Sequence, residues 1–143
     1  MAAGVTEPLY TRDILRLAAS VAPFAALPRT DGAAELRSPT CGSRIRVAVT
    51  LEDGRVTALA QKVEACAFGQ AAAALMADAA PGRDLADARA ALAGVEAWLG
   101  GDDGAAPFLA PLNPARSRPG RHGAMLLPFR ALVAALEEAV RTA

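Results

Sequence analysis

From Arg44 to Leu51 the alternation is clear: Ile45, Val47, Val49 and Leu51 fall on one face, Arg44, Arg46, Ala48 and Thr50 on the other. A period of two marks a β-strand with one buried face. Asp53-Gly54 follows, a dipeptide suited to a two-residue hairpin turn because both central positions take positive φ. The return strand is predicted over Arg55 to Val63, with Glu52 opposite Arg55, Leu51 opposite Val56, Thr50 opposite Thr57 and Val49 opposite Ala58. A first short strand is predicted over Ala33 to Ser38.

Outside this ribbon the period is helical. Ile14, Leu17, Ala18 and Val21 predict an amphipathic helix from Thr11 to Ala22, stopped by Pro23 and Pro28. Phe68, Ala71, Ala72, Leu75, Met76 and Ala79 line one face of a second helix, which Pro81-Gly82 ends. Asp84, with Asp87 three positions on, caps a third helix carrying Leu85, Ala88, Leu92, Val95 and Leu99. The segment Gly100 to Gly120 is rich in proline and glycine and is predicted to be an extended loop. A last helix is announced by Pro128 near its first turn, with Phe129, Leu132, Val133, Leu136 and Val140 behind it. The order predicts one α+β domain over residues 1–143, a small antiparallel sheet with helices packed on one face.

Composition narrows the function. Fifteen basic and fifteen acidic side chains cancel, so no overall field draws the chain to nucleic acid or an anionic membrane. No apolar run reaches the roughly 20 residues that span a bilayer, and the first residues lack a secretory pattern. A cytoplasmic protein is the expectation. In that compartment thiols stay reduced, which favours a metal or sulfur site over a structural disulfide for the two cysteines.

Those cysteines, Cys41 and Cys66, are equidistant from the Asp53-Gly54 turn, and an unbroken register places them opposite each other at the open end of the ribbon. Cys66 also precedes the second helix, whose terminal N–H groups favour a thiolate. His122, the one histidine, adds an imidazole donor where the long loop meets the last helix. Two thiols and an imidazole suit zinc or a transient iron–sulfur species. Arg116, Arg118 and Arg121 form a small basic run nearby, able to stabilise thiolates or to meet an acidic partner. A phosphate-cradling glycine loop, a serine nucleophile elbow and a His-Glu metal helix are all missing from the sequence.

The layout resembles the iron–sulfur cluster scaffold family of IscU, SufU and the N-terminal domain of NifU. The resemblance rests on Leu9-Tyr10-Thr11-Arg12-Asp13-Ile14-Leu15, on Ser38-Pro39-Thr40-Cys41-Gly42-Ser43, on the Asp53-Gly54 hairpin and on Ala65-Cys66-Ala67. It closes with Arg121-His122-Gly123-Ala124-Met125-Leu126 before Pro128-Phe129-Arg130. It implies a scaffold that holds iron or a transient cluster, alternatively zinc, through Cys41 and Cys66 with His122, and that works with a cysteine desulfurase and other assembly proteins. It also implies sulfur transfer, with Cys66 as a persulfide acceptor. Ser43 stands where the family has an aspartate ligand and Gly123 where it has a third cysteine. With two negative donors gone, a homodimer pooling four thiolates is one expectation, and a partner-binding module of the same fold, without the chemistry, is the other.

Overall fold

The computed structural model describes residues 10–39 and 42–143. Three strands, β1 (Gly32–Arg37), β2 (Arg44–Glu52) and β3 (Arg55–Glu64), form an antiparallel meander in chain order. Helix α1 (Arg12–Ala19) precedes them, and α2 (Ala67–Ala79), α3 (Leu85–Leu99), a 3-10 turn (Pro107–Leu112), α4 (Asn113–Arg116) and α5 (Pro119–Thr142) follow. The α+β architecture expected from the pattern is the one observed.

The hairpin turn forms as its residues require, with Asp53 at φ 53° and Gly54 at φ 76°. Glu52 pairs with Arg55 and Leu51 with Val56, as expected. Beyond them the register differs, because Thr50 pairs with Ala58 and Val49 with Leu59. Thr57 is therefore an extra residue, a β-bulge, and its hydroxyl donates to the Thr50 carbonyl at 3.2 Å. Paired numbers sum to 107 through the turn and to 108 beyond the bulge. The expected register is thus displaced by one residue at the end of the ribbon where Cys66 lies.

Ile45, Val47 and Val49 are fully buried on the face that α5 covers, with α2 packed against the neighbouring β3, each contributing about 1.5–3 kcal/mol over an exposed position. Gln61, opposite Val47, shares that face and donates its amide N–H to the Ala73 carbonyl of α2 at 3.0 Å. The other face is covered in part as well: Ala48, Thr50 and Ala60 are buried. Its cover includes the irregular connection from α1 to β1, with the Phe24 ring against the Arg46 guanidinium and the Arg29 carbonyl accepting from the Thr50 hydroxyl.

Helix α1 ends three residues short of its predicted boundary, where the Ser20 hydroxyl caps the Leu17 carbonyl at 2.7 Å. Helix α3 starts as the sequence predicts. Asp84 accepts from the Asp87 N–H at 2.9 Å, and the Asp87 carboxylate accepts in return from the Asp84 N–H at 3.2 Å, a reciprocal capping box.

The predicted loop over residues 100–120 is not extended. It folds into the 3-10 turn and α4, and Ala106, Leu109, Leu112 and Ala115 are inaccessible to solvent. Proline at the first turn of each piece lacks an N–H that a helix start would leave unpaired anyway, so prolines that read as breakers here act as starters. For the same reason α5 begins at Pro119, and Pro128, the expected start, lies inside it. Pro128 cannot donate to the Ala124 carbonyl four residues back. That carbonyl faces Gly69 of α2, where a side-chain carbon would lie 3.4 Å from its oxygen.

Two half-buried carboxylates give the fold an acid dependence. Asp31 is held below the usual carboxylate range by the hydrogen bond from Arg29, then by that from the Leu51 N–H. Asp84 is held there by the Asp87 N–H, with the Arg55 charge assisting. A lowered native pKa stabilises the fold above the unfolded value, and that contribution disappears as pH falls through the native value. The urea midpoint is expected to drop as pH falls below the ordinary carboxylate value of about 4, and to drop less in an Asp31→Asn/Asp84→Asn double variant. Equal slopes in the two proteins would contradict this assignment.

Candidate functional site

Cys66 is the N-cap of α2, in extended geometry at φ −65° and ψ 172°, and its side chain makes no capping hydrogen bond. The chain leaves β3 at Glu64, and Cys66 is placed where strand gives way to helix. Its thiol is free, and the residue is half-buried against the core. The carbonyl of Cys66 accepts from the Gln70 N–H at 2.9 Å, and the Gln70 side chain donates to the Ala65 carbonyl at 3.1 Å. The sulfur is thereby held at the end of α2 whose first N–H groups have no partner within the helix.

Cys41 and Thr40 lie outside the described residues, so the expected facing of the two thiols is not among the observed contacts. The residues on either side are described. Ser38 N–H donates to the Ser43 carbonyl at 2.8 Å and Gly42 N–H to the Ser38 carbonyl at 3.2 Å, and Gly42 takes φ +72°, a conformation open to glycine. Ser43, at the family's aspartate position, is buried at 4% exposure.

His122 sits in the first turn of α5 and not in a loop. Its Nε2 lies 2.6 Å from the Arg116 carbonyl. A carbonyl only accepts, so Nε2 carries a proton and donates, which leaves Nδ1 as the ring nitrogen able to offer a lone pair. The starts of α2 and α5 lie side by side. The Arg121 guanidinium stands 5.8 Å from the Phe68 ring centre, and Gly69 is close enough to Ala124 that an added carbon would be 3.3 Å from the Ala124 Cβ. Neighbours of Cys66 thus touch neighbours of His122. On its other side Phe68 stacks on Tyr10, with ring centres 5.0 Å apart.

The basic run read as one feature is divided by the fold. Arg121 turns to Phe68, whereas Arg116 packs on the Trp98 ring at 4.7 Å and donates to the Trp98 carbonyl at 2.6 Å and to Asp103 at 2.5 Å. Sequence spacing carried no signal for that grouping, because Trp98 and Asp103 come from an element read as the end of a helix and a loop. Among the described residues no three His, Cys, Asp or Glu side chains converge as a metal cluster, and no helix is long and apolar enough to cross a membrane.

The family profile described as the NifU-like N terminal domain matches residues 15–103. A NifU-like nitrogen-fixation protein, N-terminal part, from Brucella abortus is similar in structure, with a TM-score of 0.83 and 29% sequence identity, covering 94% of this chain and 96% of that one. A SUF-system protein described as an iron–sulfur cluster assembly scaffold, from Fervidobacterium islandicum AW-1, superimposes with a TM-score of 0.78 over 90% of this chain and 96% of that one. Its 18% identity carries the fold alone. No protein of curated function matches the sequence.

Proposed function

Because the chain belongs to the family of NifU-like N-terminal domains, we propose that it is a scaffold in iron–sulfur cluster assembly, a divergent one that holds iron or a transient cluster as cargo through Cys41 and Cys66 with help from His122. The observation that carries this reading is the free, half-buried Cys66, without a side-chain capping bond at the start of α2, beside a helix start whose histidine has Nε2 committed to the Arg116 carbonyl.

The donor chemistry fits. Thiolate sulfur and imidazole nitrogen suit iron, zinc and sulfide-bridged iron, and they disfavour hard cations such as magnesium. A hydroxyl at Ser43 in place of a carboxylate, and no side chain at Gly123, leave each chain two strong donors and one imidazole. A [2Fe–2S] cluster takes four protein ligands. Two copies pooling four thiolates would supply them, and a weakly held cluster is what a carrier passes on. A cysteine desulfurase is the proposed sulfur source: the Cys66 thiolate attacks the outer sulfur of its persulfide, and the desulfurase cysteine leaves as a thiolate.

Anaerobic reconstitution with ferrous iron and sulfide tests the reading. The wild-type protein is expected to gain visible sulfur-to-iron charge-transfer absorption, and the Cys41→Ser/Cys66→Ser double variant to stay colourless. A colourless, iron-free wild type would overturn the proposal.

A further inference from the structure

Resting on the assignment of His122 as a donor, we propose that Arg116 is a positioning residue: clamped on Trp98 and Asp103, it fixes the carbonyl that selects the tautomer of His122 and so keeps Nδ1 as the coordinating nitrogen. Arg116 ends α4, where backbone carbonyls lack helical partners, and its own carbonyl is the one that the His122 Nε2–H reaches across the α4–α5 junction. Three contacts hold the guanidinium. Nε donates to the Trp98 carbonyl, Nη1 donates to Asp103, and the guanidinium carbon stacks on the Trp98 ring.

Only 17% of the Arg116 side chain is exposed, against 88% for Asp103. Nη2 is buried and has no partner among the described residues. A charge buried at that cost stays in place only while its other contacts last, so the clamp makes one arrangement of the α4–α5 junction strongly preferred. Lysine cannot replace it, because an ammonium lacks the flat fork that meets a carbonyl, a carboxylate and an indole together. Partners of this kind around a metal-binding histidine set its tautomer and ring orientation.

Two measurements on the intact protein test this. Nitrogen-15 NMR of the imidazole, without metal, is expected to show a single Nε2–H tautomer in the wild type and a mixture in Arg116→Lys. Zinc affinity by competition with a chromogenic chelator is expected to fall about tenfold in Arg116→Lys, and about two- to threefold in Asp103→Asn, whose partner is mostly solvated. The milder Asp103→Asn variant decides the matter if Arg116→Lys fails to fold. A mixed tautomer in the wild type, or unchanged tautomer and affinity in the variants, would overturn the proposal. A tautomer change with zinc affinity intact would remove His122 from the donor set and the proposal with it. A wild type that binds no zinc would instead overturn the metal-binding reading, and the nitrogen spectra would still report on the clamp itself.

Discussion

Replacing Gly32 with alanine is expected to lower stability by about 3 kcal/mol, the upper end of overpacking costs. A side-chain carbon on Gly32 would overlap the Ala135 carbonyl oxygen and lie 2.8 Å from the Ala139 side chain and 3.0 Å from the Ala139 backbone nitrogen. These atoms belong to the body of α5 and not to the tip of a flexible side chain, so either the helix or β1 must shift. Elsewhere a glycine-to-alanine change that suits the local backbone gains about 0.4–1 kcal/mol by restricting the unfolded chain. Gly32 lies outside the positive-φ glycines, so the backbone itself raises no objection and crowding decides the sign. Urea denaturation should show a lower midpoint with an unchanged slope. Gly120→Ala is the control, as nothing lies within 4 Å of the added carbon, and it should be neutral or slightly stabilising. A Gly32→Ala protein as stable as wild type would show that α5 does not lie this close to the sheet.

The second large effect is expected at Phe68. Its ring is inaccessible to solvent, packed in the main core, stacked on Tyr10 and overlain by Arg121. Phe68→Ala should cost about 3–5 kcal/mol, from lost transfer energy plus the cavity left behind. Phe68→Leu retains most of the apolar volume and should cost less than half as much. Tyr10 is 48% exposed, so Tyr10→Ala removes chiefly the ring contact, worth about 0.5–1.5 kcal/mol. That ordering, read from urea midpoints, places the weight on the buried ring. Near-equal costs for Phe68→Ala and Tyr10→Ala would mean that the two rings form a surface clasp and not a core contact.

Both predictions depend on features that the sequence disclosed unevenly. The β2 alternation and Asp53-Gly54 were legible because a half-buried strand and a tight turn each constrain residue type locally. So was the Asp84–Asp87 capping box, which is written within four residues. The bulge at Thr57 was not legible: one inserted residue leaves the composition of β3 unchanged and shows itself only through its partner strand. Its effect spreads along the ribbon, turning Gln61 to the core face and moving the projected partner of Cys66 by one position. The order in residues 100–120 was hidden for a different reason. Proline and glycine there read as interruptions, whereas Pro107, Pro114 and Pro119 each begin a turn of helix, and burial of Leu109 and Leu112 holds the turns in place.

The position of Cys66 at the start of α2 was legible, because the change from strand to helical period falls there, whereas the helical setting of His122 was not, because the start of α5 was read nine residues too late. What orients the histidine was not, since the Trp98–Asp103–Arg116 grouping joins positions 18 and 13 residues apart with no local periodicity. Cys41 was named on spacing and on resemblance, and it lies outside the described residues.

One rung is missing from α5 at Pro128, beneath the nine residues that carry His122. Steel under load yields at its notch, and a helix yields where its ladder is broken. The break separates the stretch of α5 that packs on Gly69 through Ala124 from the stretch that holds Ala135 and Ala139 against Gly32, so each half is anchored by its own close contact and not by an unbroken ladder between them.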